Sequence, residues 1–328
     1  MMSRFAALFS ALLMLAFAST SAQSPAAVAE GDICSGAIDT RSTAGRAALS
    51  QAIRTAQGPR LAFLQACDHV LEGRVEPAVK SMEAAVRAEP NNPVYHFWLA
   101  RAYGEQAEGV GNPVRLMRIA GRAKAAFERS VALAPDYLDG REGLMQYFLQ
   151  APGVAGGSVA NARAQAREIA RRDPYRGAIA LATVERKNKD PEALVRAYES
   201  IIAQFPDSVA PYSALISALA ERKDWARAWN AVERLERARP DWRPARYTFG
   251  RVAAMSGQRL DVGERYLREY LTREPEKGNP SHGGAHWRLG MILEHKGDRA
   301  GARREYQEAV RMDPTLTGAK QSLSKLGP

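Results

Sequence analysis

Cysteine occurs only twice in the 328 residues, at Cys34 and Cys67. Two thiols without the paired spacing of a zinc site exclude a structural zinc module. Histidine is also scarce. His282 and His286 stand four apart near a helix start, but no acidic residue or third ligand follows in register, and surface histidines explain them as well. Long apolar runs are absent except for one, Phe5 to Phe17, which is too short to span a bilayer. No Gly-Lys-Ser/Thr phosphate loop, Gly-x-Ser-x-Gly elbow or catalytic Cys–His neighbourhood is present. The sequence therefore offers no catalytic set, no cofactor and no metal centre.

The apolar run has a meaning of its own. Arg4 precedes it, and Ser19-Thr20-Ser21-Ala22 follows with small side chains suited to cleavage after Ala22. Residues 1–22 read as a signal peptide, which implies an exported chain, periplasmic or alternatively secreted. No lipidation pattern precedes Cys34, and no integral membrane segment is expected in the mature chain. In an oxidising compartment two cysteines pair more often than not, so Cys34 and Cys67 are expected to form a disulfide.

Charge excludes less. The formal net charge is +10, and loss of Arg4 with the leader lowers it to +9. Arginine greatly outnumbers lysine, yet basic residues alternate with acidic ones, as in Glu233-Arg234-Leu235-Glu236-Arg237. No basic tail or basic–aromatic platform exists, so a solvated helix face is the better reading and no nucleic-acid partner is expected.

What the sequence does contain is a repeat. From Gly283 to Pro314, Leu289, Gly290 and Leu293 share one face of a helix, and Ala302, Tyr306 and Ala309 share one face of the next. Small residues stand where two helices cross closely, bulky ones fill the remaining space, and Asp313-Pro314 ends the second helix. Prolines at 90, 135, 174, 206, 240, 275 and 314 punctuate the chain in the same way. This pattern resembles the tetratricopeptide repeat superfamily, units of about 34 residues in which helix A turns into helix B. Within it, Tyr147 to Ser158 looks like a segment of exported, largely uncharacterised bacterial repeat proteins.

The resemblance implies an all-α fold, a right-handed superhelical solenoid of about seven helix pairs with capping helices at both ends. Residues 23–37 read as a linker and 38–58 as the N-terminal capping helix. The repeats are expected at 59–92, 93–137, 138–176, 177–208, 209–242, 243–282 and 283–314, with a polar-faced cap at 315–328. Extra residues between Gly104 and Arg122 suggest that the helix B of the second repeat begins early, near Pro113. Asp190-Pro191-Glu192 reads as a helix start.

The superfamily also implies a protein or peptide partner in the concave face lined by the A helices. The register places Phe63, Phe97, Arg101, Gln146, Tyr247, Arg251, Trp287 and Met291 there. Aromatic and arginine side chains suit an interface, though a shift of one turn would make any of them core instead. The Lys/Asn set of the chaperone-binding members is absent. Gly153, Gly156, Gly157 and Ser158 precede a helix and could cradle an anion; the alternative is a loop that needs glycine for its backbone angles. The functional expectation is a non-enzymatic scaffold or assembly factor of the bacterial envelope. The alternative is an accessory subunit that presents an enzyme or binds an envelope polysaccharide.

Overall fold

A computed structural model describes residues 25–276 and 278–327. The expected signal peptide and its cleavage after Ala22 lie outside the described residues. Within them the chain forms seventeen α-helices, one 3-10 turn and no strand. It divides into two compact units at Asn188 and Lys189, inside the fourth expected repeat.

The first unit holds α1 (Pro25–Ile38), α2 (Thr43–Thr55), α3 (Gly58–Leu71), α4 (Val75–Ala88), α5 (Pro93–Ala107), α6 (Pro113–Leu133), α7 (Leu138–Gln150), α8 (Val159–Ala170) and α9 (Pro174–Asn188). Consecutive helices fold back on each other as hairpins. The linker expected at 23–37 is corrected by α1. Pro25 supplies a first-turn proline, the alanines after it are strong helix formers, and Cys34 and Ala37 are fully buried. The N-terminal cap is accordingly a helix pair, α1 on α2, rather than a single helix.

Cys34 of α1 and Cys67 of α3 meet with Cα atoms 5.7 Å apart, a separation that suits a disulfide. The expected early start of the sixth helix is seen. Asn112 accepts from the Arg115 N–H at 3.0 Å and opens α6 at Pro113.

The second unit holds α10 (Pro191–Gln204), α11 (Val209–Glu221), α12 (Trp225–Ala238), α13 (Pro244–Ser256), α14 (Leu260–Tyr270), α15 (His282–His295), α16 (Arg299–Met312) and α17 (Thr317–Lys325). Asp190 caps α10 by accepting from the Ala193 N–H at 2.9 Å, as its Asp-Pro-Glu start predicts. The crossing of α15 and α16 shows why the repeat needs a small residue. A Cβ on Gly290 would lie 2.5 Å from the Tyr306 ring and 3.2 Å from the Ala302 carbonyl. Tyr306 is itself fully buried and donates to Glu294 at 2.7 Å. The terminal α17 buries Ala319.

Candidate functional site on the helix A faces

In the first unit, two expected groove residues are core residues. Phe63 is fully buried, stacked on Tyr95 at 4.8 Å between centroids and edge-on to Trp98. Phe97 is also buried, edge-on to Trp98 and Tyr137. The one-turn ambiguity thus resolves inward for both, because the aromatic cluster beneath α5 needs their area. Gln146 remains half-buried. Arg101 is partly exposed but occupied: its Nη2 donates to Asp39 Oδ1 at 2.7 Å, and its guanidinium lies 4.3 Å over the Trp98 ring.

The first unit neutralises a second arginine on this face. Arg176 of α9 donates to Glu142 at 2.8 Å and to Asp139 at 2.7 Å, both on α7. Burial works against its charge, but these carboxylates raise its pKa above the usual arginine value.

The second unit differs. Tyr247 and Arg251 of α13, and Trp287 and Met291 of α15, are all partly exposed. Arg251 donates to a neutral group, Ser217 Oγ on α11, at 2.9 Å. Trp287 is pinned by α17, donating from Nε1 to Ser322 Oγ at 3.2 Å, with Gly318 leaving room for its ring. Met291 touches the neighbouring Arg288, whose Nη1 is 3.2 Å from its sulfur.

Arg288 is the residue that sequence reasoning missed. Its guanidinium stacks 3.8 Å over Trp287, and its Nε is buried without a hydrogen-bond partner. Burial lowers its pKa, the charge of Arg251 pushes the same way, and the Tyr247 hydroxyl opposes both. Among the described residues neither Arg251 nor Arg288 forms an ion pair with a carboxylate. The signal in the sequence is faint: Arg288 follows Arg251 by one repeat plus the Gly/Pro-rich insertion at 276–284, and that insertion hides the register.

The glycine loop bonds chiefly to itself. Four of its N–H groups are used within the chain: Ala155 and Gly157 donate to the Pro152 carbonyl at 2.9 Å, Gly156 to Gly153 at 2.9 Å, and Ser158 to Phe148 at 2.8 Å. Ser158 then caps α8 by accepting from the Asn161 N–H at 3.2 Å. Gly156 has φ +88°, and a Cβ on Gly157 would fall 1.8 Å from the Ala151 carbonyl oxygen. Gly153 meets nothing and simply opens the 3-10 turn, Gly153–Ala155, called η1 below. These glycines serve the backbone.

The histidines are engaged separately. His286 Nδ1 meets Glu305 at 2.6 Å, while His282 Nε2 meets the Arg273 carbonyl at 2.9 Å. Among the described residues, no group of three or more metal-ligating side chains forms.

Comparison with known proteins agrees with the helix pairs. Residues 248–316, from α13 to α16, match the tetratricopeptide repeat family. The crystal structure of a tetratricopeptide repeat protein from Parabacteroides merdae ATCC 43184 superposes with a TM-score of 0.50 at 14% identity. That match covers 83% of this chain and 100% of the other. A thermophilic repeat protein of Thermus thermophilus gives 0.45 at 17% identity, over 54% of this chain and 89% of its own. The Cut9–Hcn1 hetero-tetramer of the APC/C gives 0.46 at 12% identity, over 92% of this chain and 55% of its own. No curated protein matches by sequence. At such identities structural likeness speaks for the fold alone. Residues 248–316 thus match the tetratricopeptide repeat family, and the helix A–helix B hairpins of the described residues share that fold.

Proposed function

We propose that the protein is an exported, non-enzymatic scaffold that takes an acidic segment of a partner protein on the helix A face of its second unit. Tetratricopeptide repeats generally mediate protein–protein interaction. The observation that carries the specific reading is the pair Arg251 and Arg288. Buried cationic groups are normally paired, because desolvating an unpaired charge costs several kcal/mol in the abstract and about 1–3 kcal/mol for a missing partner in proteins. Arg176 in the first unit follows that rule, whereas Arg288 keeps a buried Nε without a partner and the partly exposed Arg251 meets only a hydroxyl. A ligand carboxylate would accept from both guanidinium groups, and Tyr247 and Trp287 would cover its flanking residues.

Export is supported by the charged start, the short apolar run and the small residues before position 23. An oxidising compartment is also where the Cys34–Cys67 contact would become a covalent bond. A place in the bacterial envelope, periplasmic or alternatively secreted, is part of the same reading. N-terminal sequencing of the mature protein tests export: a chain beginning at Gln23 fits, and a retained Met1 overturns it.

Display selection of random peptides on the purified chain tests the ligand. Peptides enriched in Asp, Glu or a free C-terminal carboxylate are expected, and R251Q with R288M should abolish their capture. Enrichment of neutral or basic peptides, or capture that survives both substitutions, would overturn the assignment.

A further inference from the structure

A second surface, in the first unit, stands apart from the helix A face. Tyr103 of α5 lies under the Arg122 guanidinium of α6, 4.4 Å from the ring centroid, which sets the register of that hairpin. Counting outward, Ala107 at the end of α5 is level with Arg118. Residues 113–117 therefore project about 7 Å beyond α5, at 1.5 Å per residue. This overhang carries Val114 and Met117, exposed by 69% and 37%. Val154, exposed by 84%, sits in η1 at the neighbouring turn. The turn lies against α6, because a Cβ on Gly156 would be 3.4 Å from Lys124 Nζ. Both connections run from a helix A to a helix B, so they emerge at the same end of the unit.

Three of the four large apolar side chains exposed among the described residues thus lie on this end of the unit, Val114 and Met117 on the α6 tip and Val154 on the turn that meets Lys124 further along α6. Arg115 and Arg118 flank them, both exposed and, among the described residues, without ion pairs; α6 has no acidic residue before Glu128. Its members sit on a helix start and a 3-10 turn, positions that suit contact with a broad soft surface. We infer that Val114, Met117 and Val154, with Arg115 and Arg118, form a peripheral docking surface for an anionic lipid bilayer. The apolar side chains enter the headgroup boundary while the guanidinium groups stay among lipid phosphates. Anionic rather than neutral lipid is required, because three small apolar contacts alone hold weakly and each surface arginine adds electrostatic attraction. No helix of the described residues is long and apolar enough to cross the membrane.

Flotation of the full chain with lipid vesicles tests this. Vesicles of equal parts phosphatidylcholine and phosphatidylglycerol should carry the protein at low salt, pure phosphatidylcholine should not, and added salt should release it. R115Q with R118Q should weaken partitioning roughly thirtyfold. V114D with V154D should abolish it while leaving the circular dichroism melt unchanged. R251Q with R288M should float as the wild type does, which separates this surface from the peptide face. No association with the anionic vesicles, or association that both sets of patch variants retain, would overturn the inference.

Discussion

Arg251 Nη2 donates to Ser217 Oγ at 2.9 Å, reaching back 34 residues to the preceding helix A. Arg176 reaches back the same 34 residues and finds Glu142 at 2.8 Å. One step along the array, then, ends at a carboxylate in the first unit and at a hydroxyl in the second. A hydroxyl satisfies a donor but leaves the positive charge uncompensated.

At Arg288, also without a carboxylate partner, the charge is desolvated as well and should cost stability. Arg288→Met keeps the stem and its contact with Trp287 but removes a desolvated cation. The variant is expected to be more stable by about 1 kcal/mol while losing acidic peptides. Chemical denaturation read beside peptide binding checks both halves. A destabilised variant would mean that the guanidinium is paid back by contacts within the chain.

Cys34 and Cys67 should be joined in the mature protein. Closing a loop with a sequence separation of 33 stabilises by roughly 3–4 kcal/mol in the chain-entropy model. Cys67→Ser should therefore loosen α1 first, because terminal elements of a repeat array fray most readily. Intact mass after alkylation without reductant decides the pairing; two alkylated thiols would contradict it.

Gly290→Ala tests the close crossing of α15 and α16. Alanine ordinarily favours a helix over glycine by about 1 kcal/mol. Here its methyl would meet the buried Tyr306 ring, so a net loss of about 1–3 kcal/mol is expected instead. A thermal melt gives the sign directly, and a stabilised variant would show that the ring moves aside freely.

The acid side of the stability profile should respond to Glu264. Its hydrogen bond to Lys296, at 2.9 Å, lowers its pKa below the ordinary glutamate value; burial opposes the shift and Arg268 reinforces it. A depressed folded-state pKa means that the stabilisation is full above the unfolded-state value and is lost as pH falls through the folded-state one. Glu264→Gln should remove that part of the acid dependence and leave neutral pH slightly less stable. Urea midpoints between neutral pH and pH 3, compared for the two proteins, would show an unchanged slope if the pair contributes nothing.

The repeat was legible in the sequence because its physics is local. Helix periodicity, a small residue at each crossing and a proline after each helix B are all read within one unit. Gly290 with Ala302 and the start of α6 at Pro113 follow from residues a few positions apart. The segment at 23–37 was not legible: nothing nearby shows that Cys34 and Ala37 are buried against helices that come later. The candidate site lay further still beyond reach. Whether Phe63 and Phe97 turn inward depends on the aromatic cluster they share with Tyr95, Trp98 and Tyr137. Whether an arginine is neutralised depends on which side chain stands one repeat away in space, a carboxylate for Arg176 and a hydroxyl for Arg251. Sequence by itself determined the helix hairpins, because each is stabilised by contacts within about 34 residues. Only the tertiary structure decided which charges remain available, because compensation of charge is a property of neighbours in space.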